Sequence, residues 1–322
     1  MTDELTTSTP YGSDPAAPRW IGKQKVKALL SMKEAVDVLD QTLKDGFDPE
    51  QDGTRTRFSA SKGQLLHMPS GSRKWCGTKL VTLRPGNEEA GLPVIQGIYV
   101  LFDGETLTPV ATLEGASLTA LRTPAVTALA VRHLTTRASG RVVLFGTGVQ
   151  ALPHIKAVSA VFAPNHVDIV GRTAQRVEAL VQQVQDLGLS AAAADQESVA
   201  DADVILCCTS ANTPLFDGDL VQNHAVIAAI GSHDPDSREI DSTLVKRSTC
   251  VIESLQSAQT EAGDLILAEK EGAFNWGDAV PLRELSAGET QLPADRPKLF
   301  KGTGMPWQDL AIVSSIYLKD KG

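Results

Sequence analysis

The chain is poor in cysteine: 322 residues carry four, Cys76, Cys207, Cys208 and Cys250, with no C-x-x-C spacing. Three of them fall in apolar runs that predict buried strands, where a thiol usually serves as a small apolar filler. With six scattered histidines they make no recognisable metal site, so none is expected. Positive charge is also scarce. Thirty Lys and Arg against 39 Asp and Glu leave a net charge of -9, which argues against nucleic acid as a partner. No apolar run approaches the length needed to span a bilayer. No repeat or low-complexity tract follows residue 18. Residues 1–18 are polar and acidic with three prolines; they predict a flexible lead rather than a secretory signal or transit peptide, and a reduced cytoplasmic setting follows as the expectation.

What is present suffices for a sizeable core. The composition is 42% hydrophobic, and the length suits one large domain or two ordinary ones. The most informative segment is Val142-Val-Leu-Phe-Gly-Thr-Gly-Val-Gln-Ala151. An apolar, β-branched run is cut by Gly146, then by Gly148, with the small Ala151 three positions on. This pattern predicts a buried strand turning into a helix whose free N–H groups, with no Cβ in the way, face a pyrophosphate. A lone match is weak, but the surroundings extend it. Residues 141–145 read as a strand, 150–162 as a helix with Pro153 in its first turn, and 166–170 as the next strand. Apolar runs at 202–208, 225–230 and 249–252 alternate with helical stretches such as 173–187. The fold class expected is α/β, a Rossmann-type doubly wound parallel sheet.

Cofactor choice is read at the end of the second strand, Ile169-Val170-Gly171-Arg172-Thr173, with Arg176 one turn later. Folds that take NAD usually place an acid there for the ribose hydroxyls. Here Asp168 points into the strand, and Gly171 with two guanidinium groups suits a 2′-phosphate; NADP is favoured over NAD. The competing reading makes Arg172 and Arg176 solvated helix-start residues.

The first third reads differently. Residues 32–43 have helical periodicity, while 64–68, 79–83 and 95–102 read as strands. Asp103-Gly104 predicts a hairpin turn between 99–102 and 106–113, and Thr123-Pro124 the start of a helix running to about residue 134. Antiparallel strands followed by a βαβ array imply two domains, the first of them α+β, joined by that helix.

Two stretches hold polar groups out of place. Lys79 shares a strand face with Val81 and Leu83, so its ammonium needs a partner or a ligand anion; alternatively its stem snorkels to water. Arg55, Arg57 and Arg122 are singly unremarkable, but with Lys79 they form a candidate cationic pocket for a substrate carboxylate. In Ala229-Ile-Gly-Ser-His-Asp-Pro-Asp-Ser-Arg-Glu-Ile-Asp241 an apolar strand runs into a polar loop at the expected ligand edge, where His233 is a candidate proton exchanger or simply a solvated side chain.

Several motifs in order resemble the ornithine cyclodeaminase/mu-crystallin family from about residue 20 onward. They are Arg55 thirteen positions before Met68-Pro69, Gly77-Thr-Lys79, Pro85-Gly-Asn87, Leu118-Thr-Ala-Leu-Arg-Thr123, Gly146–Ala151, Gly231–Glu239, and Lys301-Gly-Thr-Gly-Met-Pro-Trp-Gln-Asp309. The resemblance implies a homodimer and a C-terminal segment folded back on the N-terminal domain, giving a substrate-binding and dimerisation domain over 19–121 with 303–322 around a dinucleotide-binding domain over 122–302. It implies that Arg55, Lys79 and Arg122 contact the substrate carboxylate, with Gly304 and the rest of 304–309 closing the site beside His233. It also implies cofactor contacts from Gly146, Thr147, Gly148, Val149, Gln150, Ala151, Arg172, Thr209 and Ser210. Gly171, Thr173, Arg176, Gly231 and Ser232 complete the candidate cofactor set.

Cyclodeaminases of this family carry Asp where this chain has His233, tend to Lys at Ser237 and to Glu at Leu66. The loop is closer to the mu-crystallin branch, which reduces imines. The expectation is therefore an NAD(P)H-dependent reductase of α-imino or α-keto acids, such as a cyclic ketimine carboxylate, with Lys79 and then His233 as catalytic groups. The alternatives are an ornithine cyclodeaminase, an alanine-type amino-acid dehydrogenase, and a non-catalytic binding protein.

Overall fold

The computed structural model describes residues 17–321, so the lead expected over 1–18 falls almost wholly outside the described residues. The first sheet contains β1 (Arg19–Ile21), β2 (Thr56–Ala60), β3 (Gly63–Gly71), β4 (Trp75–Leu83), β5 (Ile95–Asp103) and β6 (Pro109–Glu114), in spatial order β1-β6-β5-β4-β3-β2. Neighbours are antiparallel except the parallel pair β1 and β6. Alternation puts Leu66, Met68, Val81, Tyr99, Leu101 and Leu113 on the buried side. The β5–β6 connection is longer than a two-residue turn. The Asp103 carboxylate accepts from the N–H groups of Glu105 and Thr106, at 3.1 and 2.9 Å, and β6 starts at Pro109 rather than at 106.

The second sheet contains β7 (Ser139–Phe145), β8 (Ala163–Val170), β9 (Ala191–Ala193), β10 (Val204–Cys207), β11 (Val226–Ala229), β12 (Thr249–Ile252), β13 (Val280–Pro281) and β14 (Lys298–Lys301). All pairs are parallel, in order β13-β12-β14-β11-β10-β7-β8-β9. The α/β class and doubly wound parallel sheet expected from the alternating runs are what the structure has. Asp168 is buried in β8 and paired with Arg141 of β7, Oδ1 lying 2.9 Å from Nη2.

Helices α1 (Lys23–Leu29), α2 (Met32–Lys44) and α3 (Gly115–Leu134) belong to the first part of the chain. Around the parallel sheet lie α4 (Ala151–Val158), α5 (Ala174–Gln185), α6 (Ser242–Arg247), α7 (Leu255–Glu261), α8 (Gly263–Lys270) and α9 (Leu282–Ala287). After β14 the chain leaves the parallel sheet, and α10 (Pro306–Lys321) packs on α2, α3, β3 and β4. One hydrophobic core runs from Ile21 through α3 and one face of the parallel sheet to Ile316; a second fills the opposite face, around Val143, Ile205 and Leu299. No described helix is long and apolar enough to cross a membrane.

One expectation needs correction. The helix expected to open at Thr123-Pro124 begins eight residues earlier and holds Pro124 in its interior. Its cap is Glu114, whose carboxylate accepts from Ala116 N–H (2.9 Å) and Ser117 N–H (2.8 Å). An interior proline costs about 3 kcal/mol. Burial outweighs that, since Leu118, Leu121, Ala125, Val126, Ala128, Leu129 and Val131 all sit in the core. Arg122 is therefore held mid-helix, not on a connecting loop.

Candidate active site

A cavity of about 390 Å³ lies between the two sheets. Leu66, Met68 and Val81 form an apolar wall on the antiparallel side; Val149, Ile230 and Gly231 come from the carboxyl edge of the parallel sheet. Arg55, Lys79, Arg122, His233 and Gly304 all line it. Side chains from residues 55 to 304 thus meet at one place, and Leu66 presents hydrocarbon where the cyclodeaminase pattern has an acid.

Lys79 does not snorkel. It is 1% exposed, and Nζ donates to Asp309 Oδ1 (2.8 Å), Asp309 Oδ2 (2.7 Å) and Thr119 Oγ1 (3.3 Å). Burial, then the neighbouring Arg122 charge, lower its pKa to about 7; Asp309 works the other way. Arg122 Nη1 donates to Gln308 Oε1 at 3.1 Å, and its Nε lies 3.6 Å from Asp309 Oδ1. Arg55 donates to the carbonyls of Thr303, at 2.9 Å, and Gly304, and pairs with Glu261 at 3.2 Å. The Nε atoms of Arg55 and Arg122 are buried with no hydrogen-bond acceptor. Arg57 stands one step back, binding the His233 carbonyl at 2.9 Å.

The segment after β14 supplies the counter-charges' framework. Gly304 has φ +77, and a Cβ there would collide with the Arg122 guanidinium. Glu253, at the end of β12, accepts from the N–H groups of Thr303 (2.6 Å) and Gly304 (2.8 Å) and from the Gln308 amide. The Trp307 N–H at the start of α10 donates to Asp52 Oδ2 at 2.7 Å. Sequence reasoning found the three cations and missed Glu253, Glu261 and the pairing of Asp309. An acid directly after an apolar strand, as Glu253 follows Ile252, is the signal that was available.

His233 is not a solvated side chain. Burial first, then the charges of Arg55, Arg57 and Lys301, push its pKa down to about 4, so the imidazole is neutral at physiological pH. Ser232 is a second correction. Its hydroxyl turns back to the Ser237 carbonyl (2.9 Å), its own carbonyl takes the Lys301 ammonium (2.7 Å), and it lines neither cavity. A short turn that buries Lys301 uses Ser232 as part of its own frame.

A neighbouring cleft of about 800 Å³ is lined by Gly146, Thr147, Gly148, Gly171, Arg172, Thr173 and Arg176. It shares Gly148, Cys208, Thr209 and Ser210 with the first cavity, so the two are continuous. The residues fit a dinucleotide. Gly146 adopts φ +105, where a Cβ would meet the Cys208 carbonyl, while a Cβ on Gly148 would project into open space, leaving the backbone accessible. The helix that follows has no side-chain cap on its N-terminus. Val149 and Gln150 line the first cavity, and Ala151 is buried against the core.

The sequence profile of the ornithine cyclodeaminase/mu-crystallin family matches residues 21–322. The chain belongs to this family. Among its relatives, a Delta(1)-pyrroline-2-carboxylate reductase of Colwellia psychrerythraea is 31% identical over 93% of this chain and 98% of its own. The structure of the Thermococcus litoralis Delta(1)-pyrroline-2-carboxylate reductase with NADH and L-proline superposes with a TM-score of 0.88 at 26% identity, covering 94% and 97% of the two chains. An archaeal alanine dehydrogenase dimer with bound NAD gives 0.88 at 25% identity, covering 94% and 96%.

Proposed function

We propose that the protein is an NAD(P)H-dependent reductase of α-imino and α-keto acids whose preferred substrates are cyclic ketimine carboxylates. The observation that carries this is the meeting of Arg55, Lys79 and Arg122 at one end of a small, partly apolar cavity that opens into the dinucleotide cleft. The relatives' activity supports it. When bound, the nicotinamide cofactor supplies the hydride. The chain's own residues orient and protonate. Arg55 and Arg122, both lining the cavity, hold the carboxylate, and this fixes the imine carbon relative to the cleft. Lys79 holds the proton that the ring nitrogen requires. His233, neutral near pH 7, contributes a hydrogen bond and bulk rather than an acid.

Gly146, Thr147, Gly148, Gly171, Thr173, Thr209 and Ser210 are the cofactor cradle in this reading. Arg172 and Arg176, both exposed on the cleft, favour a 2′-phosphate and hence NADPH, although Asp195 and Glu197 line the same cleft. A cyclodeaminase would need an acid on the β11 loop; Asp234 is exposed and lines neither the substrate cavity nor the cofactor cleft, which favours the reductase. A second copy of this chain is the proposed partner. The outer face of the first sheet leaves Phe58 and Ile98 69% and 41% exposed, and the alanine dehydrogenase neighbour is a dimer. Four unpaired thiols suit a reducing cytoplasm.

The test is oxidation of NADPH and NADH, followed by absorbance, with cyclic ketimine carboxylates and with pyruvate plus ammonia. Turnover with the ketimine is expected, with kcat/KM higher for NADPH and that preference reduced in R172A. Absence of turnover, with ammonia and proline formed from ornithine, overturns the reductase reading; a preference for NADH in the parent protein overturns the role of Arg172.

A further inference from the structure

The Lys79 ammonium has three protons, and the structure gives each an acceptor. Two go to the carboxylate oxygens of Asp309, at 2.8 and 2.7 Å, while the third direction leads to Thr119 Oγ1 at 3.3 Å. The Thr119 contact is the longest, and Thr119 lines the cavity whereas Asp309 does not. The N–H that Asp309 does not use is thus directed to the one partner that borders the cavity.

Asp309 cannot exchange Lys79 for water. It is fully buried, and the same carboxylate lies 3.6 Å from Arg122 Nε, so one acid is shared by two of the three site cations. It sits in the first turn of α10, where the helix dipole favours negative charge. The helix start is pinned on both sides: Trp307 N–H binds Asp52, and Gln308 bridges Arg122 and Glu253.

We propose that Asp309 is the positioning residue of this site: it keeps Lys79 charged beside Arg122 and Arg55, and holds two of its N–H groups so that the third faces the substrate. The groups facing Lys79 are Arg122 from α3, Arg55 from the segment before β2, Tyr99 opposite it on β5, and Asp309 from α10, with Asp52 and Glu253 behind Asp309. The Tyr99 hydroxyl is buried and titrates far above neutrality, so it adds no charge. Among the described residues Asp309 is thus the one anion bonded to Nζ. Burial and Arg122 already lower the Lys79 pKa, and removing the carboxylate leaves both effects unopposed.

The role of the Lys79 proton in turnover rests on the reductase reading, but the coupling of Asp309 to Lys79 does not. The experiment therefore has two arms, both on the full-length protein with D309N. The first follows the Lys79 titration by NMR on lysine carrying 13C at Cε, assigned with K79M, without substrate. The second records kcat/KM against pH. Because protonated Lys79 is required, activity falls as pH rises through its pKa. In D309N the titration midpoint and this limb are both expected to move to lower pH, by about one unit or more. kcat is expected to fall by about 10²-fold, with the Kd for NADPH unchanged and with D309E restoring part of the limb. A D309N protein that is only less heat-stable, with the Lys79 titration unmoved, overturns the proposal. A shifted titration in a protein whose parent reduces no ketimine upholds the Asp309 assignment and removes the reductase reading instead. Should D309N not fold, D309E carries the test: a displaced limb with cofactor affinity retained supports the proposal, and an unmoved limb overturns it.

Discussion

Lys79 is a charge placed where hydrocarbon would be the default, on the same strand face as Val81 and Leu83. An unpaired charge at such a site costs several kcal/mol, so the residue persists only with an acceptor close by. K79M fills the space without the charge and leaves Asp309 to Arg122. Its expected result is a folded protein that binds NADPH as before, with kcat/KM on the ketimine lowered by about 10²–10⁴-fold; steady-state kinetics with a cofactor titration check this. Unchanged turnover would remove Lys79 from the chemistry. The cationic residues of the site were legible in the sequence because a lysine on an apolar strand face and repeated arginines stand out locally. Their acidic partners were not. Lys79 and Asp309 are 230 positions apart, and nothing local to Asp309 marks it as the acceptor.

At the level of elements, α3 carries Arg122 and joins the antiparallel strands to the parallel sheet. Its start depends on Glu114, so E114A should destabilise the protein by about 1 kcal/mol, read as a shifted midpoint in urea. Proline was a misleading guide to this helix. Thr123-Pro124 looks like a start, whereas core burial on either side holds the proline inside. The contact of α4 with α3 gives a pH dependence. His154 is fully buried, with Nδ1 2.7 Å from the Gln150 carbonyl and Nε2 3.2 Å from the Thr127 hydroxyl. Burial lowers its pKa from 6.5 to about 4. Below pH 6.5 the unfolded chain therefore takes up a proton that the folded protein refuses. This contribution to stability is present above pH 6.5 and is lost as pH falls towards 4. It amounts to about 3 kcal/mol. Denaturation curves across that range should be steeper in pH for the parent than for H154Q; parallel curves would exclude His154 as the cause.

For the whole molecule, the site exists because the chain returns to its beginning. After β14 the backbone leaves the parallel sheet and lays α10 against α2, α3, β3 and β4. Cations from the first sheet and α3 then meet acids from β12, α7 and α10. The outer face of the first sheet carries exposed apolar side chains across its width, from Trp20 (57%) on the edge strand β1 through Ile98 on β5 to Phe58 on the opposite edge strand β2. Apolar area of this kind on a sheet is usually covered by another copy or a partner. The parent protein is expected to sediment as a dimer and F58E/I98E as a monomer; a parent that stays monomeric at micromolar concentration would refute the proposed partner.

Residue order alone was enough for the α/β class, the strand–turn–helix at Gly146–Ala151, the lack of an acid at the β8 tip and the three site cations. Each of these rests on spacing within one or two elements, and such spacing is visible in a linear chain. Packing was needed for the rest: the early start of α3, the inward turn of Ser232, the neutral state of His233, and the Asp309 carboxylate under Lys79 and Arg122. These depend on which distant groups are excluded from water together. That is a property of the folded chain, because desolvation and charge pairing act across space and not along the sequence.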